Sequence, residues 1–257
     1  MLRPIVLTVL LALSPAAAPA QSVPQLMQTG AEGRGWQAVG KLDLGGGSFC
    51  TGALIAPDLV LTAAHCLVDK ATGKTVDPGQ VSFLAGWRNG RAEAYRGARR
   101  IAVDPAYAGA AGDRVGQMSH DLGLIGLEMP IRLPSLLPLA VDADTPPGPG
   151  DPVGVVSYAQ GHAEVPALQS MCDVLVRERG VLLMDCKADF GASGSPVMAM
   201  RGGEPKIVAV MSAKAMQDGK PVSLAALPAD LAGLRAALAA GAAERPTGAG
   251  GAKFMRP

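Results

Sequence analysis

Residues 50–66 read Cys50-Thr51-Gly52-Ala53-Leu54-Ile55-Ala56-Pro57-Asp58-Leu59-Val60-Leu61-Thr62-Ala63-Ala64-His65-Cys66 and contain two short β-prone runs, a histidine and two cysteines. The runs of apolar and β-branched residues around Pro57-Asp58 predict two neighbouring strands. The second run leads directly to His65. A strand that ends at a histidine, beside cysteines able to form a disulfide, would be a rigid mount for a general base.

Two later stretches supply the groups that such a base requires. They read Asp121-Leu122-Gly123-Leu124-Ile125-Gly126-Leu127 and Gly191-Ala192-Ser193-Gly194-Ser195-Pro196. A serine is a weak nucleophile unless a base lies within hydrogen-bond reach and a third group orients that base. Imidazole can exchange a proton near neutral pH. The order His65, Asp121, Ser193 is that of the chymotrypsin-type triad, not of subtilisins or α/β-hydrolases.

On these three motifs the chain resembles the trypsin-like, chymotrypsin-fold serine peptidases, and among them the small secreted bacterial members related to glutamyl endopeptidases. The resemblance runs from about Gly35 to Leu238. It implies an all-β fold of two six-stranded antiparallel β-barrels packed together, with a C-terminal helix. It also implies His65 as the base, Asp121 as its orienting carboxylate and Ser193 as the nucleophile. The backbone N–H groups of Gly191 and Ser193 would form the oxyanion hole.

Each motif also has a structural interpretation. A single histidine beside a cysteine is often a buried structural residue, an aspartate is common at the start of a strand, and a Gly/Ser run is often a surface loop. The esterase elbow G-x-S-x-G is a lookalike of the serine motif, but Ser195 stands at its final glycine position.

His120 lacks the histidine motif, so we interpret it as a flanking surface residue.

The rest of the chain shows the pattern of an all-β protein. Short β-prone runs alternate with Gly/Pro-rich turns, and this spacing predicts a sandwich or barrel. The Pro/Gly/Asp-rich segment 141–150 is a natural crossover between two barrel halves, within a connection spanning about residues 128–150. Apolar residues at helical spacing in 228–238 predict the C-terminal helix. The predicted strands are 36–42, 49–55, 59–62, 81–87, 122–127, 153–158, 174–177, 181–185, 196–200, 207–212 and 222–226.

Both ends of the chain lie outside the expected peptidase domain, residues 35–240. Residues 1–20 carry Arg3, a short apolar stretch and an Ala-x-Ala site, so they predict a secretory signal peptide cleaved after Ala20, with a retained anchor as the alternative. Residues 21–34 form an N-terminal segment that is a candidate pro-segment, with Arg34 as a processing site. Residues 241–257 are rich in Gly, Ala and Pro and predict a disordered tail. The expected location is therefore extracellular or periplasmic, with no membrane anchor after signal cleavage.

Four cysteines in an exported chain indicate disulfides, and four cysteines allow three connectivities. The pairs Cys50–Cys66 and Cys172–Cys186 are favoured because each brackets one motif. A zinc site is the competing use of Cys and His, but neither C-x-x-C nor H-x-x-x-H occurs. We therefore expect no metal and no cofactor.

Charge and composition restrict the partners. The formal net charge is +1, without a dense Lys/Arg stripe, so nucleic acid and anionic membranes are poor partner candidates. The small cluster Arg96, Arg99 and Arg100 is interpreted as a solvated loop face. The expected partners are protein or peptide substrates, and the expected state is a monomer.

The chain departs from the family around its nucleophile. Activated trypsin-like enzymes have an acidic residue immediately before the serine, which pairs with a freed N-terminus; here that residue is Ala192, and no Ile-Val-Gly-Gly-type start precedes Trp36. Phe190 packing and the Cys172–Cys186 link are the expected substitutes. A catalytically silent or latent binding protein on the same scaffold is therefore the alternative function, and an esterase of another fold is the third.

The substrate pocket also departs from known specificities. Lys187 stands six residues before Ser193, where trypsin has an acidic residue, although Asp185 and Asp189 are near. Met211 stands where glutamyl endopeptidases use a histidine. The expected pocket residues are Lys187, Phe190, Met211 and Ser212, with an apolar preference for the residue before the cleaved bond.

Overall fold

Two closed β-barrels make up the structure, a computed structural model that describes residues 23–109 and 112–241. The predicted signal peptide and residues 242–257 of the predicted tail lie outside these residues. The strands are β1 (Gln25–Leu26), β2 (Val39–Asp43), β3 (Phe49–Ala56), β4 (Leu59–Thr62), β5 (Ser82–Ala85), β6 (Ala94–Val103), β7 (Gly123–Leu127), β8 (Pro152–Ser157), β9 (Ala167–Glu178), β10 (Val181–Met184), β11 (Pro196–Arg201), β12 (Glu204–Gln217) and β13 (Lys220–Ala226). The α-helices are α1 (Pro105–Gly109), α2 (Arg114–Ser119) and α3 (Leu231–Ala240), and 3-10 turns lie at Ala64–Cys66, Pro78–Gln80 and Gln160–His162.

The first barrel closes in the order β2-β3-β4-β7-β6-β5, with every neighbouring pair antiparallel. Strands β4 and β7 are buried along their whole length, because the barrel interior covers one face and other elements cover the opposite face. The ends of these two buried strands position two site residues. His65 follows β4, and Asp121 lies just before β7.

The second barrel closes in the order β8-β9-β10-β13-β12-β11, and β11 returns to β8. The prediction of two six-stranded antiparallel barrels is therefore confirmed. Strand β1 adds to the edge of β9, and Met27, which follows it, is buried and donates its N–H to Pro166 O. Residues 25–27 of the N-terminal segment thus pack on the second barrel, and removal of the segment as a pro-segment remains a prediction.

The predicted C-terminal helix is confirmed as α3. It begins after Asp230, whose carboxylate accepts the N–H of Gly233 at 2.8 Å and so caps the first turn. Leu234 and Leu238 are its buried face, and the helix packs on β6 and β7 of the first barrel. No helix within residues 23–109 and 112–241 has both the length and the apolar character needed to cross a membrane.

Several elements differ from the sequence-based expectation. Arg96, Arg99 and Arg100 lie on strand β6 and not in a loop. A bulge between Ala98 and Arg100 interrupts the alternation of buried and exposed residues, so the pattern of period two is broken there. The short helices α1 and α2 were not predicted, because neither is long enough to show a helical period.

Candidate active site

His65 lies in the 3-10 turn that follows β4, and two contacts fix it to Asp121. Its backbone N–H donates to Asp121 Oδ1 at 2.8 Å, and its ring Nδ1 lies 2.7 Å from Asp121 Oδ2. A disulfide joins Cys66, the next residue, to Cys50 on β3. When Nδ1 carries the proton donated to the carboxylate, Nε2 is left free to accept one.

Asp121 is almost fully buried, at 2 % exposure, and its carboxylate is fully engaged. Besides the two groups of His65, the hydroxyl of Ser212 on β12 donates to Oδ2 at 2.5 Å. Burial of a carboxylate is tolerated when hydrogen bonds replace water. The second barrel, through Ser212, therefore helps to hold a side chain of the first barrel.

Hydrogen bonds hold most of the polar backbone groups in the turn around Ser193. Ala192 N donates to Asp189 O at 3.0 Å, Ser195 N to Ala192 O at 3.1 Å, and Gly194 N to Met211 O at 2.8 Å. On β3, the Thr51 hydroxyl donates to Gly191 O at 2.9 Å, and Thr51 N donates to Ser193 O at 2.8 Å. Across the part of the chain that the structure describes, the N–H groups of Gly191 and Ser193 make no hydrogen bond, so both are available to a ligand.

The two glycines of this turn are required by its geometry. Gly191 has φ 93°, and a Cβ there would lie 2.2 Å from Phe49 Cε2. Gly194 has φ 79°, and a Cβ there would lie 2.1 Å from Thr62 Oγ1. Both positions combine a left-handed backbone with a close neighbour, which only glycine tolerates.

His65 and Ser193 line one cleft of about 480 Å³ between the barrels. In the described part of the chain, Ser193 Oγ and His65 are not joined by a hydrogen bond. Catalytic hydrogen bonds are often long or absent before substrate binds. The other lining residues are Leu44, Gly47, Ser48, Phe49, Cys50, Cys66, Lys70, Gln160, Ala188, Asp189, Phe190, Gly191, Met211, Ser212, Ala213 and Lys214.

A sequence profile described as "Trypsin-like peptidase domain" matches residues 50–210, which include His65, Asp121 and Ser193. The chain belongs to this family. A modular serine protease of Drosophila melanogaster is 37 % identical over 90 residues, or 33 % of this chain. The chain spans only 14 % of that protein's length.

A solved structure of a Glu endopeptidase in complex with MPD has the same fold as this trypsin-like chain. The TM-score is 0.69 at 18 % identity, and the match covers 87 % of this chain and 100 % of the other. At this identity the likeness concerns the fold alone. The predicted family is therefore confirmed, and the fold agrees with it.

The cleft of this trypsin-like domain contains three of the four expected pocket residues. Phe190, Met211 and Ser212 line it, and Ser212 also holds Asp121. Lys187 does not belong to it: its side chain is exposed, and it borders a neighbouring cavity. The reason is Gln169, whose amide group accepts Lys187 N at 2.9 Å and donates to Lys187 O, so the backbone is fixed away from the cleft.

The sequence interpretation missed residues that hold the cleft together. Lys214 Nζ lies 2.8 Å from Asp189 Oδ1 and 4.1 Å from the centre of the Phe190 ring. The Lys214 ammonium, and after it the Phe190 N–H, lowers the pKa of Asp189 below its usual range. A single sequence has no signal for Lys214 or Thr51, because each acts across a distance of at least 25 residues.

His120 and the cysteines beside His65 have contacts that fit a structural role. His120 Nδ1 lies 3.0 Å from Asp104 Oδ2 and its side chain is 43 % exposed, as expected for a flanking residue. Potential metal-ligating atoms of Cys50, His65 and Cys66 lie within 4.8 Å of one another. Because the two sulfurs are joined in a disulfide, they are not thiolates that could bind zinc. The second predicted disulfide, Cys172–Cys186, is also present.

Proposed function

We propose that this trypsin-like chain is a serine endopeptidase that acts on protein or peptide substrates through an acyl-enzyme intermediate. The observation that carries the proposal is the 2.7 Å contact between His65 Nδ1 and buried Asp121, because His65 lines the same cleft as Ser193. A base oriented by a carboxylate beside a serine is the arrangement that activates a hydroxyl nucleophile.

The first half of the reaction follows from these positions. Ser193 Oγ bonds to the substrate carbonyl carbon while its proton passes to His65 Nε2. The carbonyl oxygen becomes an oxyanion, and the free N–H groups of Gly191 and Ser193 donate to it. Cleavage of the C–N bond then releases the amine, which takes the proton from His65, and leaves an acyl ester on Ser193.

Water completes the cycle by the same groups. His65 removes a proton from water as the water oxygen bonds to the acyl carbon, and the proton returns to Ser193 Oγ when the ester bond breaks. Asp121 stabilises the imidazolium in both halves and keeps its ring oriented. The two disulfides suit export to an oxidising compartment, outside the cell or in a periplasm.

A fluorophosphonate probe tests the proposal, because it reacts with activated serines. Full-length protein, expressed with its disulfides formed, and its Ser193→Ala variant are treated with the probe, and intact mass is measured. We expect one label on the wild type and none on the variant, which should unfold at the same temperature. Equal labelling of both proteins would contradict the role of Ser193.

A folded wild-type protein that takes up no label would favour the alternative, a latent or silent binding protein. Ala192 motivates this alternative, because the acidic residue of activated trypsin-like enzymes is absent there. Labelling that appears only after cleavage near Arg34 would indicate latency, whereas none after cleavage would indicate a silent scaffold.

A further inference from the structure

The turn that carries the oxyanion donors has no charged group at its centre. Ala192 is buried, with 2 % of its surface exposed. The turn is instead anchored at its start, by Asp189. The Asp189 carboxylate accepts the N–H of Phe190 at 2.8 Å, and its carbonyl accepts the N–H of Ala192 at 3.0 Å. Asp189 therefore accepts hydrogen bonds from Phe190 and Ala192, the two residues that flank Gly191.

Lys214 ties this turn to the opposite wall of the cleft. It lies on β12, two residues after Ser212, and its ammonium contacts Asp189 Oδ1 at 2.8 Å. The same ammonium lies over the ring of Phe190 at 4.1 Å, within cation–π range. One lysine thus contacts both residues that precede Gly191, from the strand whose Ser212 holds Asp121.

We propose that Asp189 and Lys214 are positioning residues of the reaction, whose ion pair sets the turn so that the Gly191 and Ser193 N–H groups converge on the oxyanion. This inference rests on the proposed function. The donors must lie about 2.7–3.1 Å from the developing oxygen, so a small shift of the turn weakens them. Asp189 then does from outside the turn what an acidic residue in place of Ala192 would do from inside it.

Because the Asp189–Lys214 ion pair is exposed, a positioning role can be tested separately from a contribution to stability. The side chains of Lys214 and Asp189 are 48 % and 55 % exposed, and such pairs contribute little to the free energy of unfolding. Arg179 and Asp113 form an ion pair with similar exposures of 55 % and 46 %, and neither residue lines the cleft. Arg179→Gln is therefore a matched control.

The experiment compares the wild type with Asp189→Asn, Lys214→Gln, Lys214→Arg and Arg179→Gln. The readouts are the rate of fluorophosphonate labelling at saturating probe, the probe concentration giving half that rate, and the melting temperature. The probe's phosphoryl oxygen uses the same donors as the oxyanion. We expect Asp189→Asn and Lys214→Gln to lower the saturating rate about 5- to 50-fold, less than the 10²–10³ for loss of a whole donor.

Rescue and salt dependence complete the expected result. Lys214→Arg keeps the ion pair and should retain most of the rate, and Arg179→Gln should match the wild type. Raising the salt concentration should slow the wild type but leave Lys214→Gln unchanged, because ions screen an exposed pair. All variants should melt within a few degrees of the wild type.

Two results would overturn the inference while the proposed function stands: an active wild type with unchanged saturating rates in both variants, or a change only in the half-saturating probe concentration. The second would make the pair a binding element without influence on the chemical step. Failure of the wild type to label both before and after cleavage near Arg34 would overturn the proposed function and this inference with it.

Discussion

Thr51 shows how one side chain can connect three parts of the site. Its hydroxyl donates to Gly191 O at 2.9 Å and accepts the N–H of Tyr158 at 3.0 Å. Its backbone N–H donates to Ser193 O, and its carbonyl accepts the hydroxyl of Thr62 at 2.8 Å. Because Thr51 is buried on β3, the nucleophile turn rests on a strand of the first barrel although it belongs to the second.

At the residue scale, the close fit of this turn predicts that Gly194→Ala is strongly destabilising. The new Cβ would lie 2.1 Å from Thr62 Oγ1 and 2.3 Å from Thr51 O, at a left-handed φ of 79°. Gly203→Ala is the control, since its φ is 85° but nothing lies within 4 Å. Backbone strain alone should cost Gly203→Ala about 1–2 kcal/mol, and overpacking should add about 1–3 kcal/mol for Gly194→Ala.

Urea unfolding of the two variants measures this difference. Equal free energies of unfolding would show that the turn can move to admit a methyl group. The proposed oxyanion geometry would then be less rigid than the contacts of Gly194 indicate.

At the scale of elements, the sequence predicted strands where buried residues form uninterrupted runs. Leu59–Thr62 has the predicted bounds, whereas β12 extends from Glu204 to Gln217 and the prediction covered only residues 207–212. The eight extra residues are half-buried or exposed, and four of them, Glu204, Lys206, Lys214 and Gln217, are charged or polar. This part of β12 therefore lacks the continuous apolar run from which the strand was predicted. Helix α1 is too short to show a helical period, but Asp104-Pro105 is a helix-start signal that the prediction did not use, with the Asp104 carboxylate accepting the Ala106 N–H.

The disulfides connect different elements, so their removal should have different consequences. Cys50–Cys66 joins β3 to the turn of His65, while Cys172 and Cys186 belong to the core of the second barrel. With sequence separations of 16 and 14, each loop should contribute about 3 kcal/mol to stability. We expect both Cys→Ala double variants to melt at lower temperature, and Cys50→Ala/Cys66→Ala to label more slowly at 25 °C.

Melting curves and labelling rates measured well below both transitions test this distinction. A larger loss of labelling in Cys172→Ala/Cys186→Ala would contradict it. That result would support the initial expectation that the Cys172–Cys186 link helps to hold the oxyanion turn.

At the scale of the whole molecule, the site depends on how the two barrels meet. His65 and Asp121 come from the first barrel, and Ser193 and Ser212 come from the second. Three short motifs in the sequence predicted the triad candidates, because the residues around His65, Asp121 and Ser193 resemble those of the family and stand in its order. The contacts between barrels, such as Ser212 with Asp121, could not be predicted, because they depend on the relative placement of residues that are 91 positions apart in the sequence.

Tyr158 is a buried link between the barrels that predicts a pH dependence of stability. It follows β8 of the second barrel, and its hydroxyl donates to Trp87 O of the first at 2.8 Å. Burial raises the pKa of Tyr158 well above that of an exposed tyrosine. The folded state therefore keeps this proton above about pH 10, where the unfolded chain loses it.

The direction in which stability changes with pH depends on which state, folded or unfolded, binds more protons. Above about pH 10 the folded state binds more protons than the unfolded state, so the free energy of unfolding falls as pH rises, by up to about 1.4 kcal/mol per pH unit from Tyr158. Tyr158→Phe lacks this contribution, while near pH 8 it should be about 1–3 kcal/mol less stable because Trp87 O loses its partner. Urea unfolding at pH 8, 10 and 11 should show the difference between the two proteins narrowing with pH. A constant difference would mean that Tyr158 titrates in the folded state as freely as in the unfolded chain, and that water reaches the contact between the barrels.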